Sequence, residues 1–359
     1  MARANVHGTG VYVTKGVRQL TGLKWKFKTG EHGVNTVPVI KDAVAYFGGN
    51  DGRLYAVDAA TGSEKWHRSL DTISTSAPAI AGDMVYVGAW EELYALNTGT
   101  GKVRWKFKPE RGSDDSYYAD PVVDGGTVYF GGRNHFYALN SETGHEKWKF
   151  ELGGVTRSVP TVYNGNVYIA TFRPDNRKAA YLYALDSETG QEKWRLEAAG
   201  GGIGGSVAVA DDVLYVGTRD DGLLALDAKN GQEKWRYDLN SGMTTGPAVA
   251  YGLVYVTDQG KLYAIDAQTG VEKWKHQGSG SFCSDPVIAD GLVYYTTNGV
   301  GLGSNWVDVK LIGNLHAVDA QSGRELWKYS VTGNALAAPA IADGTVYFGS
   351  EEDYLYAVK

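Results

Sequence analysis

The sequence predicts an all-β chain closed into an eight-bladed β-propeller of four-stranded antiparallel blades, and three observations lead there. A tryptophan follows a small-residue turn eight times: TGLKW at Thr21–Trp25, TGSEKW at Thr61–Trp66, TGKVRW at Thr100–Trp105, TGHEKW at Thr143–Trp148, TGQEKW at Thr189–Trp194, NGQEKW at Asn230–Trp235, TGVEKW at Thr269–Trp274 and SGRELW at Ser322–Trp327. Successive tryptophans stand 41, 39, 43, 46, 41, 39 and 53 residues apart, a period near that of propeller blades. Between them, apolar residues alternate as half-buried strands require, and no helical periodicity of useful length occurs.

One blade serves as the template. Ser76–Ile80 reads as a narrow first strand, Asp83–Gly88 as a second, Leu93–Leu96 as a third and Val103–Phe107 as a fourth. The first strand must be innermost, because strands converge toward the propeller axis where only small side chains fit. Pro38, Pro78, Pro121, Pro160, Pro247, Pro286 and Pro339 sit in it, and a residue that cannot donate to a ladder belongs on an edge. Blade five departs, with Val207 at this position. In the turn before the tryptophan, glycine supplies a positive φ, and Asp58, Asn97, Asn140, Asp186, Asp227, Asp266 or Asp319 opens the turn with a side chain able to bond the following amides. Trp25, Trp66, Trp105, Trp148, Trp194, Trp235, Trp274 and Trp327 are expected to dock between neighbouring blades, so they are packing residues rather than chemistry.

The last segment, Ala338–Lys359, supplies three strands and stops before a turn or tryptophan. The fourth strand is expected from the other end, Thr21–Phe27, with Lys359 standing where Asp58 stands in blade one. Residues 19–359 then form one propeller, and residues 1–18 an extension outside the repeat with no functional role assigned.

The unit A-P-x-x-x-x-G-x-V-Y-x-G followed by L-Y-A-L-D-x-x-T-G-x-E-K-W resembles the pyrroloquinoline-quinone-like repeat. The resemblance spans Thr21 to Lys359 and implies the eight-bladed fold. It is similar to the outer-membrane barrel assembly lipoproteins and to sensor domains attached to some bacterial serine/threonine kinases. The quinone dehydrogenases with this repeat carry adjacent cysteines over the cofactor, a bound calcium and a catalytic aspartate. Cys283 stands alone here and no Cys-x-x-Cys-His occurs, so no cofactor is expected, with pyrroloquinoline quinone plus calcium as the alternative.

Composition narrows the functional classes. Lys and Arg number 35 against 41 Asp and Glu, a net charge of −6 without a basic block, which argues against nucleic acid. No apolar run is long enough for a membrane helix, and Met1–Thr14 lack the apolar core of a signal peptide. The expectation is a soluble monomer, cytoplasmic, or periplasmic if a leader was removed. No zinc-ligand spacing, P-loop or nucleophile motif appears, so neither catalytic nor metal-binding residues are predicted.

Loops joining strands two and three, and those leading from strand four into the next blade, open on one face, where the blades differ most. Two loops of the first kind are enlarged: Arg173–Lys178 in blade four and Thr297–Asn314 in blade seven, the latter including Trp306. The connection Pro109–Tyr118, with Tyr117 and Tyr118, neighbours Trp90 and Glu91 of blade two, Arg133 and His135 of blade three, and Arg157 at the start of blade four. These residues, with Arg173 and Trp306, are the candidate site. Aromatic surface beside guanidiniums suits an anionic or planar ligand, or a peptide across the channel mouth. The glycine run Gly200–Gly205 lacks a following helix and reads as a connection rather than a phosphate loop. The leading reading is a non-catalytic propeller binding a protein, a peptide or a small ligand on this face. The alternatives are an enzyme performing quinone or carbohydrate chemistry there, such as a quinoprotein dehydrogenase, and a ligand sensor from a signalling system.

Overall fold

A computed structural model describes residues 5, 7–70, 76–90, 92–109, 119–132, 134–156, 158–172, 180–198, 202–239, 245–280, 282–299, 311–335 and 337–359. Eight sheets follow one another round a ring, seven of them antiparallel meanders of four strands and blade seven the same meander with two short strands added. In blade two these strands are Ala79–Ala81, Met84–Ala89, Glu92–Asn97 and Val103–Phe107, from the axis outward. Each inner strand is three residues long, and seven of the eight start directly after a proline, as in Val39–Lys41 and Ala340–Ala342; in blade five Val207 precedes Ala208–Ala210. The prolines therefore precede the ladder rather than sit within it, because they have no N–H to give to it. Eight clusters of buried apolar side chains lie between successive blades, so the core is distributed round the ring rather than central.

Hydrogen bonding at the junctions is as regular as the sequence. The indole N–H of seven docking tryptophans donates to a backbone carbonyl of the next blade's outer turn, at 2.9–3.3 Å, and that of Trp327 to Val17 O at 2.7 Å. A second-strand tyrosine donates to that same carbonyl; Trp66 and Tyr46, for example, both reach Thr98 O. The turn glycine lies beneath the tryptophan of the preceding blade: a Cβ on Gly270, at φ +73°, would fall 2.7 Å from the Trp235 ring. Both φ and ring contact exclude a side chain here. At the head of the turn Asp58 Oδ1 accepts from the N–H groups of Ala60 and Thr61, at 3.0 and 2.9 Å.

The termini meet in one blade. Leu23–Lys28 pairs antiparallel with Tyr354–Val358, which continues through Thr345–Gly349 to the inner strand. Lys359 takes the turn position expected from the register: its carbonyl accepts from Thr21 and Gly22 N–H, at 2.6 and 3.0 Å, as Asp58 O accepts from Gly62.

Residues before Thr21 are built into the ring. The carbonyls of His7, Thr9 and Gly10 accept from Val209, Val249 and Ile288, which belong to the inner strands of blades five, six and seven, and Lys15 O accepts from Gly344 of blade eight. Val11–Tyr12 lies parallel to Val287–Ala289 as an added strand on the channel side. Val17 then supplies the carbonyl that blade eight's interrupted turn lacks, receiving Trp327 Nε1 at 2.7 Å and pairing with the Tyr294 hydroxyl. Strand direction places this segment at the channel end that carries the outer turns, opposite the variable loops.

Candidate functional site

The variable face is described in part. Trp90 occupies the first position of the two-residue turn closed by the Ala89–Glu92 pair, at φ +52° and 54% exposed. The left-handed region is unfavourable for a bulky L-residue by about 1–3 kcal/mol, and such strain clusters where a side chain must be presented. Tyr251 is the other exposed large aromatic among the described residues, and its hydroxyl accepts from Gly291 N–H on the opposite face. His135 opens the third strand of blade three, His135–Asn140, opposite Glu151, its ring 5.9 Å from that of Tyr137. It is half-buried and packed, on the same face as Trp90 and one blade further round. Glu91, Tyr117, Tyr118, Arg133, Arg157, Arg173 and Trp306 lie outside the described residues.

The blade-seven insertion differs from a simple loop over Thr297–Asn314. Its flanks extend the hairpin, with Leu292–Gly299 paired to Ile312–Asp319 up to Gly299–Ile312, and Phe282–Cys283 added alongside. Thr297 and Asn314 are buried, so paired backbone and packing hold the base of this projection. In the glycine run, Gly202 and Ile203 form single bridges to Phe172 and Thr218, tying blades four and five.

Two carboxylates at the channel mouth were not singled out by sequence. Asp120 accepts from Ala77 N–H at 2.8 Å and Asp285 from Gly246 N–H at 2.8 Å, each bracing the preceding blade's lead-in. Burial pushes the Asp120 carboxyl up to about 6 against the opposing pull of the Ala77 N–H, and the neighbouring Asp285 charge adds to the rise. A second group escaped the sequence motifs because three separate strands build it. His276, from the outer strand of blade six, meets His316 and Glu325 of blade seven, with their ligand atoms all within 4.8 Å of one another. His316 Nδ1 lies 2.6 Å from Glu325 Oε1, and His276 Nε2 lies 3.8 Å from the same oxygen. Burial lowers the proton affinity of both imidazoles, and Glu325 opposes that fall at each. The available signal was departure from the repeat, since both histidines stand where most other blades carry an aromatic residue.

A family model described as outer membrane protein assembly factor BamB matches residues 2–114, 91–241, 178–281, 240–304 and 296–359. The chain belongs to this family of quinone-like-repeat propellers. Among solved structures, BamB from Moraxella catarrhalis superposes with a TM-score of 0.73 at 17% identity, covering 95% of this chain and 98% of that one. The quinohemoprotein alcohol dehydrogenase of Comamonas testosteroni gives 0.80 at 18% identity, over 99% of this chain and 79% of the enzyme. Among curated proteins, quinoprotein alcohol dehydrogenase PedH of Pseudomonas putida is 35% identical over 97 residues, and the serine/threonine-protein kinase AfsK of Streptomyces griseus 37% over 97. Those alignments cover 23% and 25% of this chain, and only 16% and 11% of the two relatives. Both resemblances read from the repeat, to the assembly lipoproteins and to a kinase, therefore hold. None of the described elements is a helix long and apolar enough to cross a membrane.

Proposed function

We propose that this protein is a non-catalytic binding propeller whose variable face, centred on Trp90, takes a protein or peptide partner. The observation that carries the reading is the exposed indole of Trp90, held in a left-handed turn on the face where the blades diverge, within a framework matched along its length by the BamB family. An aromatic presented by a rigid hairpin is the kind of anchor that dominates protein interfaces, because little side-chain entropy is lost when it is buried. The family description, an outer membrane protein assembly factor, fits work on protein clients. The N-terminal segment lines the channel from the other side through the carbonyls of His7, Thr9, Gly10 and Lys15.

Quinone chemistry fits these residues poorly. One cysteine cannot provide adjacent sulfurs, and burial pushes the Cys283 thiol up to about 12. The mouth carboxylates Asp120 and Asp285 each commit an oxygen to a neighbouring backbone N–H. Two measurements test the reading. Trp90→Ala should weaken binding of the co-purifying partner by about tenfold or more while leaving the melting curve unchanged. Added pyrroloquinoline quinone with calcium should leave no chromophore on the protein after gel filtration; retention together with dye-linked alcohol oxidation would overturn the proposal.

A further inference from the structure

Several junctions between blades carry an aromatic pair on the outer wall. Phe27 meets Tyr55 at 5.5 Å, Phe107 meets Tyr137 at 5.4 Å and Phe150 meets Tyr183 at 5.3 Å, one ring two residues beyond the docking tryptophan on the same strand and the other from the next blade's third strand. Between blades six and seven both positions are histidine: His276 and His316 lie 6.3 Å apart, with interplanar angle 64°. Exchanging two apolar rings for two imidazoles at a buried junction is unfavourable unless their nitrogens find partners. Among the described residues, His276 Nε2 is buried and has none.

Proton accounting at His316 sharpens the point. Its side chain is 1% exposed. The Thr297 hydroxyl donates its single proton to the Ser279 carbonyl, so toward His316 Nε2, 3.1 Å away, it can only accept. Nε2 therefore carries the hydrogen. In the neutral ring Nδ1 is then a lone pair aimed at the Glu325 carboxylate 2.6 Å away, an arrangement that requires a proton or a cation between them. The preceding junction shows what the glutamate does without histidines: there the equivalent Glu272 accepts the Tyr237 hydroxyl. At His276 no such donor reaches across, and a gap of 3.8 Å separates Nε2 from Glu325 Oε1.

We propose that His276 Nε2, His316 Nδ1 and Glu325 bind one divalent transition-metal ion, with zinc the best match, clamping blade six to blade seven. Two neutral imidazoles and a carboxylate suit zinc, whose ligand bonds of about 2.0–2.2 Å place donor atoms roughly 3.3 Å apart. The Glu325 side chain is 33% exposed and can swing by less than an ångström to open the 2.6 Å contact to that spacing. The hydrogen bond from His316 Nε2–H to Thr297 is the outer-shell support that fixes ring orientation in metal-bound histidines. Three protein ligands leave a fourth position for water.

Isothermal titration of the chelator-treated full chain with zinc, and visible absorption of its cobalt-loaded form, test this. One equivalent should bind, calcium should not compete, and the melting temperature should climb with zinc concentration. The double variant His276→Phe/His316→Tyr, which installs residues that the repeat uses elsewhere, should keep the apo melting temperature and lose at least about 100-fold in affinity. Thr297→Val should weaken binding by about 10–100-fold. If the double variant perturbs the fold, Glu325→Gln provides the same comparison through a partly exposed side chain. Absence of saturable binding, or an unchanged equivalent in the double variant and in Glu325→Gln, would overturn the site in favour of an imidazolium–glutamate pair.

Discussion

Replacing Gly270 by alanine tests whether the repeated turn glycine serves the backbone alone or the docked ring above it. Two effects add at this position. An L-residue at φ +73° is disfavoured by about 1–2 kcal/mol. The new Cβ would sit 2.7 Å from Trp235 Cε3, well inside ordinary carbon contact, and Trp235 cannot retreat freely because its N–H holds Ala267 O at 3.0 Å and its ring packs against Tyr215. Overpacking of this kind is worth about 1–3 kcal/mol, so the total destabilisation should be about 2–5 kcal/mol. Gly252 provides the control, with φ +72° and no atom within 4 Å of an added Cβ, so Gly252→Ala should show the backbone effect alone, about 1–2 kcal/mol. A chain of this length shifts its thermal midpoint by only ~1.3 °C per kcal/mol, so urea unfolding is the better assay. Combining Gly270→Ala with Trp235→Ala should erase the excess over the control, a coupling of about 1–3 kcal/mol. Equal effects of the two glycine substitutions, or an excess that survives removal of the indole, would refute the reasoning.

Other expected outcomes follow from the same geometry. Removing residues 1–28 deletes the fourth strand of blade eight and the Val17 carbonyl, so urea unfolding should lose its single sharp transition; a transition as steep as that of the full chain would contradict ring closure. Trp148→Ala, which removes a side chain only 8% exposed, should destabilise by about 3–5 kcal/mol, whereas Trp90→Ala should stay within about 0.5 kcal/mol of the parent in the same unfolding assay. Turn aspartates should govern acid stability. Lys193 and the Thr189 N–H hold Asp186 down to about 2, and the Thr269 hydroxyl and Lys273 do the same for Asp266. Their folded values lie below the unfolded value of about 3.9, so the stabilisation is present above pH ~4 and is lost as pH falls toward 2. Urea midpoints measured across that window should drop for the parent and drop less for Asp186→Asn/Asp266→Asn.

Much of the fold was legible because its rules act at fixed offsets. Asp58, Gly62 and Trp66 mark a turn, a close approach and a docked ring in blade one, and their counterparts recur until Trp327. Strand exchange at the termini was legible for the same reason: an unfinished last blade needs Thr21–Phe27. Val17 was not, since it acts through its carbonyl oxygen, a group every residue carries. His7, Thr9 and Gly10 line the channel through the same anonymous atoms. His276, His316 and Glu325 fit no spacing motif because the ring, not the local chain, brings them together; only a blade-by-blade comparison exposes two imidazoles where most other blades have aromatic rings. On the variable face, the sequence located Trp90 and His135 on neighbouring blades, while their exposures diverged. A two-residue turn lifts the indole into solvent, whereas strand pairing and the Tyr137 ring hold the imidazole against the sheet.

Site-specific photocrosslinking tests the central claim, a partner-binding variable face, most directly. A photoreactive phenylalanine analogue would be placed either at position 90, on the variable face, or at position 271, where Val271 is 58% exposed on an outer turn of the opposite face. Irradiation in the source cell should give a discrete protein adduct from position 90, identifiable by mass spectrometry and reproduced with the purified partner, and none from position 271. An adduct confined to position 271, or none at either position, would contradict the account.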